Sequence, residues 1–252
     1  MKLIAVLVLL AVQDAPKGRL VVVGGGEMPS GVRAKALELA GGRDARVLVI
    51  AQASERKDAA AESVAAWKAA GAAGAESLDL ADGKAAVAQV KRASLVWMGG
   101  GDQNRLMKAL EKTGVPEAIR ERYREGAVVG GTSAGAAVMS KVMITGEAEL
   151  DRIEAGATKT ADGLGLWEGV IVDQHLVKRS RMNRLVSAVL DKPELVGVGI
   201  DEETAAVVGP GGFEVRGKGS VVVVDARKAA REKGGATGVT LHVLREGMNW
   251  ER

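Results

Sequence analysis

The chain contains no cysteine, which excludes disulfides and thiolate-bound metal, and a domain of this size needs neither for stability outside a cell. Its aromatic residues are four Trp, one Tyr and one Phe. So few rings leave no stacking platform for a single-stranded nucleic acid, and the core has to be built from Val, Leu, Ala and Ile. A formal net charge of +3 over 252 residues, with acids and bases interspersed, gives no general role in binding nucleic acid. There is no Walker A lysine and no H-E-x-x-H, and Gly24-Gly25-Gly26-Glu27-Met28-Pro29 lacks the third glycine of G-x-G-x-x-G. No cofactor and no metal are therefore expected.

What is present is an apolar chain, 47% hydrophobic, in which Val-rich segments alternate with Ala-rich ones. The runs 19–23, 46–50 and 94–98 read as strands whose C-terminal ends open into loops, and 30–40, 58–70 and 104–110 have helical composition. This alternation predicts an α/β fold with a mostly parallel, doubly wound, flavodoxin-like sheet covered on both faces. From Phe213 to Trp250 the pattern is of short strands and Gly-rich turns, with Val221–Val224 the clearest strand and one helical stretch over 226–233. No repeat and no long linker interrupts residues 16–252, which read as one domain.

Residues 1–15 differ. Lys2 precedes the apolar run Leu3–Val12, which is too short for an ordinary membrane span, and Ala15 stands ahead of Pro16. This is the pattern of a secretory signal peptide, so a secreted or periplasmic protein is expected, with no stable membrane insertion after processing. A first buried strand in a cytoplasmic protein is the alternative reading.

The most informative segment is Ala127-Val-Val-Gly130-Gly131-Thr132-Ser133-Ala134-Gly135, a G-x-S-x-G pattern in which a sharp strand-to-helix turn would expose the Ser133 hydroxyl. Spacing alone also fits a strand, a glycine turn and an Ala-rich helix. A nucleophilic serine needs a base, and the chain has two histidines. His242 lies in an alternating strand and reads as structural. His175, in Asp173-Gln174-His175 after Val170-Ile171-Val172, would project from a strand end, where α/β sites lie. An orienting acid is expected in Asp201-Glu202-Glu203, where Glu202 is the candidate and Asp201 the reserve. Spacing alone equally allows a solvated turn there.

After His175 come Lys178, Arg179, Arg181 and Arg184, four cations within seven residues. Met182, Leu185, Val186, Val189 and Leu190 then form the apolar stripe of a helix, with Arg181 and Arg184 on its opposite face. Cations at a helix start oppose its dipole. Grouped beside a candidate base, they suggest a pocket that clamps carboxylates, although a solvated basic turn fits too.

Taken together, Val22-Val23-Gly24-Gly25-Gly26-Glu27, Gly99-Gly100-Gly101-Asp102-Gln103, Gly130–Ala136, Asp173-Gln174-His175 with Arg179-x-Arg181-x-x-Arg184, and Gly199-Ile200-Asp201-Glu202 resemble peptidase family S51. This family groups the cyanophycinases with the aspartyl dipeptidases. The resemblance spans roughly residues 19–225. It implies a fold like the class I glutamine amidotransferases, Ser133 as nucleophile, His175 as base and Glu202 as acid partner. Gln103, Asp173, Gln174, Arg179, Arg181 and Arg184 would line the substrate pocket. The expected reaction is hydrolysis of β-linked aspartyl peptides, above all of the β-Asp-Arg polymer cyanophycin, because a poly-aspartate backbone offers repeated carboxylates to the arginine element. The resemblance also implies a homodimer. For the oxyanion, the N–H of Ala134 and one from Gly100 or Gly101 are the natural donors. Two other readings share parts of the pattern: an aspartyl dipeptidase, and a non-catalytic protein that captures acidic peptides. An α/β-hydrolase esterase would carry its acid before its histidine, the reverse of the order here.

Overall fold

The computed structural model describes residues 15–149 and 151–251. The candidate leader lies outside the described residues except for Ala15. The first half alternates as the sequence predicts: β1 Arg19–Val23, α1 Ser30–Leu39, β2 Arg46–Ile50, α2 Ala59–Ala69, β3 Gly74–Ser77, α3 Gly83–Arg92, β4 Leu95–Met98, α4 Gln103–Leu110, α5 Val115–Glu125, β5 Val128–Thr132 and α6 Ala134–Ala137. The second half is strand-rich: β6 Val142–Ala148, β7 Thr158–Asp162, β8 Val170–Gln174, α7 Met182–Asp191, β9 Val196–Ile200, β10 Thr204–Gly209, β11 Gly212–Gly217, β12 Val221–Asp225, β13 Ala230–Glu232, β14 Gly235–Thr237, β15 Thr240–Leu244 and β16 Asn249–Glu251.

The eight-stranded sheet has the order β16-β11-β10-β1-β5-β4-β2-β3. Its five strands from β1 to β3 in that order are parallel, and β10, β11 and β16 extend it antiparallel. Strands buried on both faces need apolar residues at every position, and the alternation is visible in β1. Leu20 and Val22 join the core that contains Ile119 and Met139, whereas Val21 and Val23 join the core beneath α1 and α2. In that second core Trp67 meets Trp97 edge-to-face at 5.1 Å, a large apolar area from few rings.

A separate four-stranded sheet, β15-β12-β9-β8, carries the parallel pair β8–β9. The predicted stripe of α7 packs on it through Leu185 and Val189, with Met182 and Val186 partly buried against them and Ala188 added to the contact. One expectation fails: 226–233 is no helix. β13 and β14 form a hairpin through Lys233 and Gly234, both at positive φ (53° and 80°), because two such residues favour a tight hairpin turn over continuation of a helix. His242 lies on the exposed β15, paired with Val223.

Candidate active site

Ser133 follows β5 directly. Its backbone, φ 53° and ψ −112°, swings the chain into α6, a conformation that crowds any side chain. The flanking glycines leave room for the turn. A Cβ on Gly131 would lie 2.5 Å from the Gly135 carbonyl oxygen, and one on Gly135 would lie 2.2 Å from that of Met98. The Ser133 N–H donates to the Val23 carbonyl at 3.1 Å, which ties the turn to the end of β1.

His175 arrives from the other sheet, immediately after β8, and also has a positive φ of 52°. Its N–H donates to the Gly24 carbonyl at 2.8 Å. The imidazole Nε2 lies 2.9 Å from Ser133 Oγ, and Nδ1 lies 2.6 Å from Glu202 Oε1. With Nδ1–H donating to the carboxylate, Nε2 is left to accept the serine proton. Burial is the largest influence on the His175 pKa and lowers it, Arg179 and Arg181 lower it further, and the Glu202 contact opposes them. The ring is therefore neutral at pH 7 and able to take a proton. Between the two acids that the sequence left open, the geometry separates Glu202 from Asp201, whose Oδ1 accepts the Lys178 N–H at 3.0 Å.

The glycines after β1 have a role that the sequence reading missed. A Cβ on Gly25 would lie 2.2 Å from His175 Cε1, one on Gly24 would lie 2.2 Å from the Asp201 carbonyl oxygen, and one on Gly26 would lie 3.1 Å from Glu202 Cβ. These residues form the floor on which the histidine and its acid rest. Three glycines at a strand end without the rest of a nucleotide fingerprint were the available signal, since glycine also marks close approach of another group.

The family model of peptidase family S51 matches residues 20–215. The chain belongs to peptidase family S51. It is 37% identical over 230 residues to a cyanophycinase of Geminocystis herdmanii, covering 84% of this chain and 85% of that protein. A cyanophycinase of Trichormus variabilis is 42% identical over 186 residues, covering 69% and 62% of the two chains. The fold is that of a peptidase from an acI-B1 actinobacterium, with a TM-score of 0.69 at 24% identity over 95% of this chain and 99% of the other.

In this S51 serine peptidase the remaining sequence-predicted residues fall into three groups. Arg179 is exposed, and its side chain makes no hydrogen bond or ion pair among the described residues. Arg181, half-buried as the residue preceding α7, donates from Nη1 to the Gln174 carbonyl and to Gln174 Oε1, at 3.0 and 2.9 Å. Desolvation, followed by the nearby Arg184, pulls its guanidinium down to about 10, so it remains a cation at neutral pH. Asp173 and Arg184 are 1% and 2% exposed. Arg184 does not share an outer face with Arg181: it turns inward and grips Asp173 with two hydrogen bonds, Nε to Oδ2 at 2.8 Å and Nη2 to Oδ1. A cation at that depth has to be paired, and the pair is spent on itself. Gln103 is also buried, and its amide donates to the Ile144 carbonyl at 2.9 Å.

Of the expected oxyanion donors, Ala134 begins α6 and its N–H has no intrahelical acceptor. Gly100 lies beside the serine, since a Cβ there would be 3.5 Å from Ser133 Cβ. Gly101, at φ 136°, packs its Cα face on the Ala53 carbonyl. Among the described residues no group of three or more His, Asp and Glu is placed to hold a metal, and no helix is long and apolar enough to cross a membrane.

Proposed function

We propose that this S51 peptidase cleaves β-linked aspartyl peptides, with cyanophycin as the substrate and β-Asp-Arg dipeptides as the product. The observation that carries the reading is the hydrogen-bonded series Ser133–His175–Glu202 standing beside the uncommitted guanidinium of Arg179. The likeness to cyanophycinases supports the choice of polymer.

Ser133 Oγ attacks the scissile carbonyl while His175 Nε2 takes its proton, and Glu202 holds the imidazolium that forms. The oxyanion is met by the Ala134 N–H and by a donor from Gly100 or Gly101. His175 then protonates the leaving amine, and water releases the acyl group by the same steps in reverse order. Arg179 and Arg181 bind aspartyl carboxylates. Asp173 and Arg184 act one layer behind them: the Asp173 carboxylate also accepts the Gln174 N–H at 2.7 Å, and Gln174 in turn holds Arg181.

The test is release of β-Asp-Arg from purified cyanophycin by residues 16–252, with Ser133→Ala assayed in parallel. Serine-dependent release is expected, with kcat falling on the order of 10⁴-fold or more in the variant. Phosphonate labelling of Ser133 without release would leave a working serine peptidase and remove cyanophycin as its substrate.

A further inference from the structure

A groove opens between the start of α1, the end of α2 and the turns that carry Glu203 and Lys218, with Glu27, Arg33 and Ala66 in its lining. It is continuous in chain with the candidate site, because Glu27 follows the glycine that touches Glu202 and Glu203 follows Glu202 itself.

Its charges are unequally committed. Lys218 Nζ is bonded to Glu203 Oε2 at 2.5 Å. Glu27 is exposed and makes no hydrogen bond or ion pair among the described residues; burial lowers the Arg33 pKa and the Glu27 charge opposes that shift, while Lys218 is raised mainly by Glu203 and least by Glu27. Arg33 has one recorded hydrogen bond, Nη1 to the Ala66 carbonyl at 3.1 Å. Its guanidinium lies over the Trp67 ring, 5.6 Å from the centroid, and its buried Nε has no partner. The groove thus holds a free carboxylate and a guanidinium with one recorded hydrogen bond. A ligand that satisfies both must itself carry a cation and an anion.

We propose that this groove is a subsite for an arginyl side chain of the substrate beyond the one at the scissile bond. The inference rests on the β-Asp-Arg reading above. Arginine joined through its α-amino group to an aspartyl β-carboxyl keeps a guanidinium and a free carboxylate. Glu27 receives the guanidinium in a planar, two-oxygen contact, and Arg33 receives the carboxylate. The subsite therefore selects for arginine on a neighbouring unit and favours polymer over single dipeptides.

Binding to the Ser133→Ala chain separates the groove from the chemistry. The ligands are a three-unit β-Asp-Arg peptide and its counterpart with neutral citrulline in place of each arginine, titrated calorimetrically. Adding Glu27→Gln should weaken the arginine ligand about three- to fivefold, as for an exposed charged contact, and leave the citrulline ligand within twofold. Adding Arg33→Gln should weaken both ligands alike, since both keep the carboxylate. Equal effects of Glu27→Gln on the two ligands, no effect on either, or no binding of the arginine ligand would each overturn the subsite. Hydrolysis of cyanophycin by the parent reports on the proposed reaction alone, so the two failures are distinguishable.

Discussion

The eight-stranded sheet and the four-stranded sheet bring different kinds of group to the site. From the first come backbone features: the strained turn at Ser133, the donor at Ala134 and the glycine floor at Gly24 to Gly26. From the second come titratable side chains on strand ends, His175 and Glu202, and the cations that follow β8. A sheet of parallel strands fixes a turn to within a hydrogen bond, which suits a nucleophile. The smaller sheet, backed by α7, buries the Asp173–Arg184 ion pair, which on the proposed roles aims side chains without touching substrate. The difference teaches that, on the proposed roles, the working part of this peptidase is the contact between the sheets.

That division can be broken at graded depth. On the proposed roles, Glu202→Gln should lower kcat by on the order of 10³–10⁴-fold, the scale seen when a triad acid loses its charge, whereas Asp201→Asn should stay within about fivefold. Steady-state kinetics of the two variants under one condition checks the choice of acid. Asp173→Asn removes one member of a buried pair at the back of the smaller sheet, and should cost about 3–5 kcal/mol of stability, read as a fall in denaturant midpoint. If the larger sheet folds on its own terms, its Trp67–Trp97 signal will persist after activity is lost.

Gly25→Ala acts at the contact itself. A Cβ placed 2.2 Å from the imidazole on a backbone at φ 120° must displace the ring, and a loss of about 10²-fold in kcat is expected, since misplacement by an ångström costs that much. Unchanged KM for a soluble β-aspartyl peptide would show that the cation pocket survives. The smallest effect concerns pH. Because the His175 pKa is lowered, the acid limb of kcat/KM should have its midpoint below 6.5, the ordinary value. Removing a cation that lowers it, by Arg179→Gln, should move that midpoint up by less than about one unit. The same shift has a stability sign: below pH 6.5 the unfolded chain binds the His175 proton first, so stability falls as the medium is acidified through that range.

How much of this was legible depends on whether the signal was local. The strands β1, β4 and β5, and the elbow at Ser133, follow from apolar runs that end in glycine, β2 from an apolar run that ends in Ala51-Gln52, and α7 from its stripe. His175 and Glu202 could be picked out because the histidine field held only two members and both acids stood at one strand end. What could not be read locally was how charges pair. Spacing put Arg184 on an outer face, whereas Asp173, eleven residues earlier, draws it inward. The helix expected at 226–233 failed for a related reason: its Ala, Arg and Lys content suits a helix, but Gly234 and Gly235 complete a hairpin whose pairing decides the outcome.

The Ser133–His175 contact joins residues 42 positions apart, and both residues are tied to the end of β1, Ser133 through the Val23 carbonyl and His175 through the Gly24 carbonyl. A chain still being synthesised holds the elbow before it holds the base. On the proposed roles such an intermediate lacks the base that activates the serine, so hydrolytic competence arrives with the docking of the second sheet. On the proposed roles the order of assembly thereby restrains the nascent peptidase, and under mild denaturant the same logic runs backwards, with turnover vanishing ahead of the spectroscopic transition.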